Sequence, residues 1–404
     1  MSAASSLHLA VALDGTGYHP ASWRDPSARP AEVFTPGYWI DLATTAERGL
    51  VDLVTIEDSF GLQSSNRRVL DGRTDQVRGR LDAVMIASLI APRTTHLGVV
   101  PTANTTHTEP FHLASAFSTL DWVSEGRAGW RPQVSGNQHE ADHVGRRQFP
   151  RIDPTRRDDP AATAFMRDLF EEATDVVDVV RRLWDSWEDD AVIRDVATGR
   201  FVDRDKLHYV DFEGRFFSVK GPSIVPRPPQ GNPLVAALAH SQIPFEFAAR
   251  SADVVFVTPA DTGDVERWVQ DVRLAETAVG RRGETLRILA DLVVFLDDTA
   301  AAATARKERL DELDGRAYRS DAAVFVGTPD ALVDQLLAWQ PAGLAGFRLR
   351  PGVIGHDLDQ IIDAVVPRLQ ARGMFRTAYE PGLLRERFGL ARRPSRYARV
   401  EEAS

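Results

Sequence analysis

The stretch PLVAALAHSQIPFEFAARSADVVFVTP, residues 233–259, carries the fold. Its first seven letters are a short, almost unbroken apolar run, as a strand buried on both faces requires. A helical pattern follows as far as Arg250, and ADVVFVT at 252–258 is a second run of the same kind. Strand, helix and strand at this spacing form a right-handed βαβ unit, whose two strands are parallel. The rhythm repeats in both directions. Upstream lie LHLAVAL (7–13), VDLVTIE (51–57), HLGVVPT (96–102) and GRAGW (126–130); downstream lie LRILADLVVFL (286–296) and GFRLRP (346–351). Helical patterns separate them at 38–49, 79–91, 111–124, 262–280, 300–314 and 358–372. Eight such strands predict an α/β fold, a (β/α)8 TIM barrel. A doubly wound open sheet is the alternative, weakened because no GxGxxG follows the first strand.

Two long segments interrupt the rhythm, 131–165 and 188–232. The second contains an expected hairpin (LHYVDF with RFFSVK) and ends in the proline-rich PSIVPRPPQGNP. Loops of this length usually cover a site. A C-terminal tail over about 380–404 carries the basic run Arg385 to Arg399, expected to wrap the body or to be solvated. The whole chain, 1–404, is expected to form one barrel domain.

Composition narrows the function. The 404 residues hold 48 Lys and Arg against 58 Asp and Glu, a formal charge of −10, which disfavours nucleic-acid partners. Cysteine is absent, which excludes disulfides, thiolate–zinc sites, cysteine-ligated clusters and cysteine nucleophiles. No apolar run approaches the roughly 18 residues of a membrane span, and the N-terminus has no signal-like pattern, so a cytoplasmic location is expected.

His139-Glu140-Ala141-Asp142-His143 satisfies the H-E-x-x-H pattern of zinc peptidases. The flanking Gly136, Asn137, Gly145, Arg146 and Arg147 offer little to anchor a buried helix, so a solvated loop without metal is expected. In a barrel the site belongs instead at the C-terminal strand ends. Those ends carry His19 beyond strand one, Glu57 and Asp58 after strand two, and Thr102, Asn104 and His107 after strand three. Trp130 and Arg131 follow on strand four, with His240 and Ser241 after strand five. This lining suits a large, flat ligand with polar edges. Asp58 has a second reading as a cap on the next helix.

Several stretches carry a family likeness in order along the chain: GYHPASWR (17–24), EDSFG (57–61), NTTHTEPFHLASAFSTLDWVSEGRAGW (104–130), LWDSWEDDAVIRD (183–195), FFSVKGPSIVPRPPQG (216–231) and VVPRLQARGMFRTAYE (365–380). Together they resemble the bacterial luciferase-like flavin-dependent monooxygenases, in the branch of the nitrilotriacetate, dibenzothiophene-sulfone and long-chain-alkane monooxygenases. The resemblance implies a cytoplasmic, two-component flavoprotein. It would take reduced FMN from a separate NAD(P)H:flavin reductase and use O2 to oxidise a small organic substrate, and it would often be a homo-oligomer. It places Asp58, Thr102 and Asn104 at the flavin ring, with His19 as a polar catalytic group near the ring or substrate. Ser241 falls in the phosphate-binding turn.

Departures from the family pattern concentrate on the phosphate. Relatives continue strand four as Trp-Asn where this chain has Trp130-Arg131-Pro132. Met166 and Phe170 stand where relatives offer a histidine and a tyrosine, and Ala239-His240-Ser241 then Pro244 replaces a Gly-Ser-Ser-Gly turn. Proline has no N–H to donate, and neither methionine nor phenylalanine donates a useful hydrogen bond. Direct pairing of the phosphate by Arg131 and His240 would compensate. The alternative is a non-catalytic, flavin-impaired paralogue or partner subunit; a deazaflavin cofactor is a third reading.

Overall fold

The computed structural model describes residues 7–64, 70–150 and 159–398. Within the segments singled out above, 151–158 and 399–404 lie outside the described residues. Eight parallel strands close into a ring: β1 (His8–Leu13), β2 (Leu53–Ile56), β3 (Gly98–Asn104), β4 (Gly129–Gln133), β5 (Leu234–Leu238), β6 (Val254–Val257), β7 (Arg287–Leu296) and β8 (Gly346–Pro351). Each pairs with its neighbours in chain order. Closure comes from β8 lying beside β1, where His8 pairs with Gly346 and Val11 with Leu349. The (β/α)8 barrel is therefore present and the open sheet is excluded.

Every strand expected from the sequence is found; β8 keeps its expected bounds, β3 and β4 are moved forward, and the others lose one or two residues at one or both ends. A ninth parallel strand, Ala323–Gly327, was not anticipated. It pairs with the far half of β7 from outside the ring, Leu292 to Ala323 through Leu296 to Gly327. β7 is ten residues long, so its outer half has free edges to offer. The first long segment begins inside β4 and its last residues, 160–165, already belong to the helix Pro160–Asp185; the second runs from just beyond that helix to β5. The expected hairpin forms as a short antiparallel pair, Phe212–Glu213 with Ser218–Val219. No helix among the described residues is long and apolar enough to cross a membrane.

Side chains alternate between the two faces of each strand. Outward residues such as Val54, Val99, Trp130 and Val255 pack against the helices in the main core. Inward residues build layers. The lowest is apolar: Ala10, Leu53, Val100, Leu234, Ala236, Val254, Phe256 and Leu289. Leu384, Phe388 and Leu390 from the C-terminal segment join this layer and plug the lower mouth of the barrel. The basic tail thus wraps rather than floats, and it is fastened by charge. Arg385 is fully buried, with Nη1 2.9 Å from Asp253, and Asp253 also accepts from Arg181 (3.0 Å) and the Val235 N–H (2.9 Å).

Burial alone would raise the Asp253 carboxyl, but the guanidinium groups of Arg385, Arg181 and Arg393 outweigh it and hold the group far below the carboxylate range. A depressed carboxyl stabilises the fold fully above its ordinary value near 4, and that stability is lost as pH falls toward the folded-state value. Arg385→Ala, which removes one of the three guanidinium groups around this buried carboxylate and leaves Arg181 and Arg393, is expected to destabilise the fold in urea unfolding at pH 7 by at most about 3–5 kcal/mol. The difference between the two proteins should shrink below about pH 4 as Asp253 protonates. A constant difference across pH would show that Arg385 acts through packing alone.

Candidate active site

The upper mouth of the barrel opens into a chamber of about 1050 Å³, lined from the C-terminal ends of the strands. Its wall takes Asp14 to Pro20 after β1, Glu57 to Ser64 after β2, Arg131 and Gln133 on β4, Leu238 on β5 and Arg350 on β8, with 314–321 closing one side. Gly17 makes the first of these loops possible. Its φ of +142° belongs to glycine, and a β-carbon there would sit 2.3 Å from the Gly352 carbonyl oxygen. That close approach lets Tyr18 and His19 donate backbone N–H bonds to Pro351 (3.0 Å) and Gly352 (3.1 Å).

The floor of the chamber is an ion-pair network on inward strand positions. Asp291 of β7 accepts from Arg348 Nε at 2.8 Å and from Arg350. Arg348 also lies over the Phe256 ring, 4.0 Å from its centroid, and reaches Thr55 (3.2 Å) and Glu57 (3.5 Å). Arg131 pairs with Glu57 and donates from Nε to Thr102 at 2.9 Å. Burial pushes the Glu57 carboxyl upward, but Arg131, Arg348 and Arg350 together hold it below its ordinary range. Four polar atoms of the chamber's lining residues are buried with no hydrogen-bond partner among the described residues: Tyr18 Oη and Arg350 Nε here, and His139 Nδ1 and Glu140 Oε2 on the helix Gln138–Val144. Burial raises the Tyr18 phenol well above its ordinary value, so it remains a neutral hydroxyl.

The ten positions expected at the site divide into groups. His19, Asp58 and Arg131 line the chamber, and Thr102 lies buried just below, held by Arg131. Both Asp58 oxygens already accept backbone N–H bonds, from Ser59 (2.7 Å) and from Ala83 (2.9 Å) at the start of the next helix. The carboxyl is raised by burial, against the pull of those two bonds. His19 is fully buried. Its Nδ1 accepts the Ala21 N–H at 3.0 Å, which leaves the proton on Nε2 to bond Asp311 at 3.0 Å. Burial lowers its pKa and so favours this neutral form. Neither ring nitrogen is free to face the chamber.

Asn104 is buried beside the loop it braces, accepting from Thr106 (2.8 Å) and His107 (2.9 Å). It lines no chamber wall. Trp130 stands outside the site altogether. Strand alternation sends Arg131 inward and Trp130 outward, where it packs against Phe117, 5.3 Å between ring centroids. Met166, Phe170, His240 and Ser241 do not line the chamber. Phe170 packs on Phe247 of the helix Gln242–Ser251, and Ser241 begins that helix without a side-chain capping bond. Arg131, bound to Glu57 and Thr102, is not free to pair a phosphate at the β5 turn.

The solvated loop expected over the H-E-x-x-H motif is corrected. Gln138–Val144 is an α-helix ending at Gly145, which adopts φ +71°. The buried face that the sequence hides is Glu140 with Ala141, and Asn137 Nδ2 donates to Glu140 Oε1 at 3.0 Å. His139 packs over Gly61, where a β-carbon would lie 2.6 Å from Nε2, while His143 is exposed. The two imidazoles serve different surroundings. No group of three or more His, Cys, Asp or Glu side chains converges as a metal site among the described residues.

Sequence reading missed Asp291, Arg348, Arg350 and Tyr18, and met Glu140 only within the H-E-x-x-H pattern. The usable signal was charge at inward, every-second positions inside runs taken as uniformly apolar: Asp291 in LRILADLVVFL and Arg348 with Arg350 in GFRLRP.

Comparison with known proteins agrees with this architecture. Residues 16–322 match the family described as luciferase-like monooxygenase. The N-acetyl-S-(2-succino)cysteine monooxygenase of Bacillus subtilis (strain 168) is 30% identical, over 97% of this chain and 98% of its own. The nitrilotriacetate monooxygenase component A of Aminobacter aminovorans is also 30% identical, with the same coverage. The crystal structure of a long-chain alkane monooxygenase superimposes with a TM-score of 0.84 at 24% identity, over 95% of each chain. A closed barrel with its chamber at the C-terminal mouth, matched by relatives along almost the entire chain, belongs to the luciferase-like monooxygenase family.

Proposed function

We propose that the chain binds reduced FMN in the upper chamber and uses O2 to oxidise a small organic substrate there. The flavin would come from a separate NAD(P)H:flavin reductase, in a cytoplasmic system whose oxygenase component is a homo-oligomer. The observation that carries this reading is the chamber itself. Its volume of about 1050 Å³ accommodates a flat tricyclic ring with a substrate beside it, and its wall mixes donors and acceptors.

The residues fit the ring better than the phosphate. The unpartnered Tyr18 hydroxyl and Arg350 Nε, with Arg131 and Asp58 nearby in the wall, suit the alternating N–H and C=O edge of an isoalloxazine. His240 and Ser241 follow Leu238 after Ala239 and would hold the phosphate at the start of the helix Gln242–Ser251. Pro244 is buried in the first turn of that helix and contributes no N–H, and Met166 and Phe170 add no polar contact.

When bound, reduced flavin supplies the electrons that activate dioxygen. The chain's work is to hold, orient and shield. The Glu57–Arg131–Thr102 links fix the guanidinium in one direction, so its positive charge faces the ring at no cost in ordering. His19 serves by anchoring its loop to Asp311, and Thr102 and Asn104 support the wall from behind. The loops after β1 and β2 and the segment 314–321 wall the chamber, which would limit the water that reaches a bound ring.

Anaerobic titration checks this reading. Reduced FMN should bind in the micromolar range, and Asp58→Ala or Ser241→Ala should weaken it about 10-fold, as loss of one charge-assisted or cap-type contact implies. No detectable binding at millimolar flavin would favour the non-catalytic partner-subunit reading. Met166→His with Phe170→Tyr should tighten FMN binding by restoring polar contacts at the phosphate. Unchanged affinity would place the phosphate elsewhere.

A further inference from the structure

We propose that Glu140 is the anchor for a protonated amine on the substrate, so that the chamber selects ammonium-bearing molecules. The inference rests on the chamber being the substrate site. The argument is one of complementarity among the chamber's charges. Asp14 is paired with Arg80 at 2.8 Å, and Glu57 with Arg131 and Arg348. Asp314 is paired with Arg73 (2.9 Å) and Arg316 (3.1 Å), and Asp321 with Arg350 (2.8 Å). Asp58 has a backbone N–H on each oxygen. Glu140 alone among the described lining carboxylates lacks this. It is 5% exposed, Asn137 holds only Oε1, and Oε2 is buried with no hydrogen-bond partner.

Among the described residues the nearest basic group to Glu140 is its neighbour His139, whose Nε2 lies 4.0 Å from Oε1, too far to bond. His139 Nδ1 is likewise buried and unpartnered. Arg147, on the segment after the helix, is taken by Glu172. A buried carboxylate with an unmet oxygen is costly unless a donor reaches it, and a cationic N–H donor returns the most. The position is apt. Glu140 Cγ lies 3.4 Å from where a β-carbon on Gly61 would be, so the carboxylate sits beneath the loop that also carries Asp58. An amine held there would present its neighbouring atoms to the region assigned to the flavin ring. A hydrocarbon or neutral thioether would leave Oε2 unsatisfied, which is how a site built for hydrogen bonding rejects analogues that lack the donor.

The test is calorimetric titration of the full chain with n-butylammonium, n-butanol and n-butyrate, with and without FMN. Butylammonium should bind at least about 10-fold more tightly than butanol, butyrate should not bind, and Glu140→Gln should abolish the preference while leaving FMN affinity unchanged. Equal affinity for butylammonium and butanol in the wild type overturns the proposal without reference to any variant. So does an undiminished preference in Glu140→Gln. Amine binding that depends on Glu140 in a protein that takes no FMN would sustain the anchor and remove the flavin assignment, so the two failures are distinguishable.

Discussion

One carboxylate in the middle of the barrel organises the rest. Asp291 sits on β7 where an apolar residue would fill the interior, and it draws Arg348 and Arg350 of β8 inward to meet it. Two guanidinium groups on one carboxylate leave positive charge over, which Glu57 and Asp321 take up from other sides. Glu57 in turn fixes Arg131 on β4. The chain of pairs crosses the barrel from β7 through β8 and β2 to β4, dividing the interior at one level. Below it the space is closed by apolar side chains and the C-terminal plug; above it the space is open and polar. Without that floor the interior would pack shut, as barrels filled by branched side chains do.

The same physics sets what the sequence disclosed. Buried parallel strands are apolar on both faces, so their runs were legible, and so was the barrel they add up to. Which residue points where was not legible from the runs alone. Trp130 and Arg131 are adjacent in sequence and were grouped together, yet the two-residue period of a strand puts one against Phe117 and the other over the chamber floor. Arg348 and Arg350 are hidden for the opposite reason: in a short, mostly apolar run nothing marks its charges as inward-pointing. The strand Ala323–Gly327 escaped because it lies outside the ring, where no barrel count requires it. The helix over His139–His143 escaped because its flanks are polar; only Glu140 and Ala141 turn inward, and a buried glutamate is a poor signal for a helix core.

The C-terminal segment shows how a basic run is used in an acidic chain. Arg385 enters the base of the barrel to meet Asp253, while Leu384, Phe388 and Leu390 replace the side chains that would otherwise be needed there. Plug and floor are separate devices, one held by Asp253 and one by Asp291, and the working volume lies above both. The altered phosphate turn fits this division. Met166, Phe170 and Pro244 lie outside the floor, the plug and the barrel strands, so the proposed ring seat does not depend on them.

The most direct measurement is a crystal structure of the protein grown with FMN and reduced anaerobically. The account predicts the isoalloxazine in the upper chamber against Tyr18, Asp58 and Arg131, with the phosphate directed past Leu238 toward Ser241. A flavin bound instead in the smaller hollow of about 220 Å³ beside Arg146 and Arg147, or one excluded from the chamber by the Arg131–Glu57 pair, would contradict it.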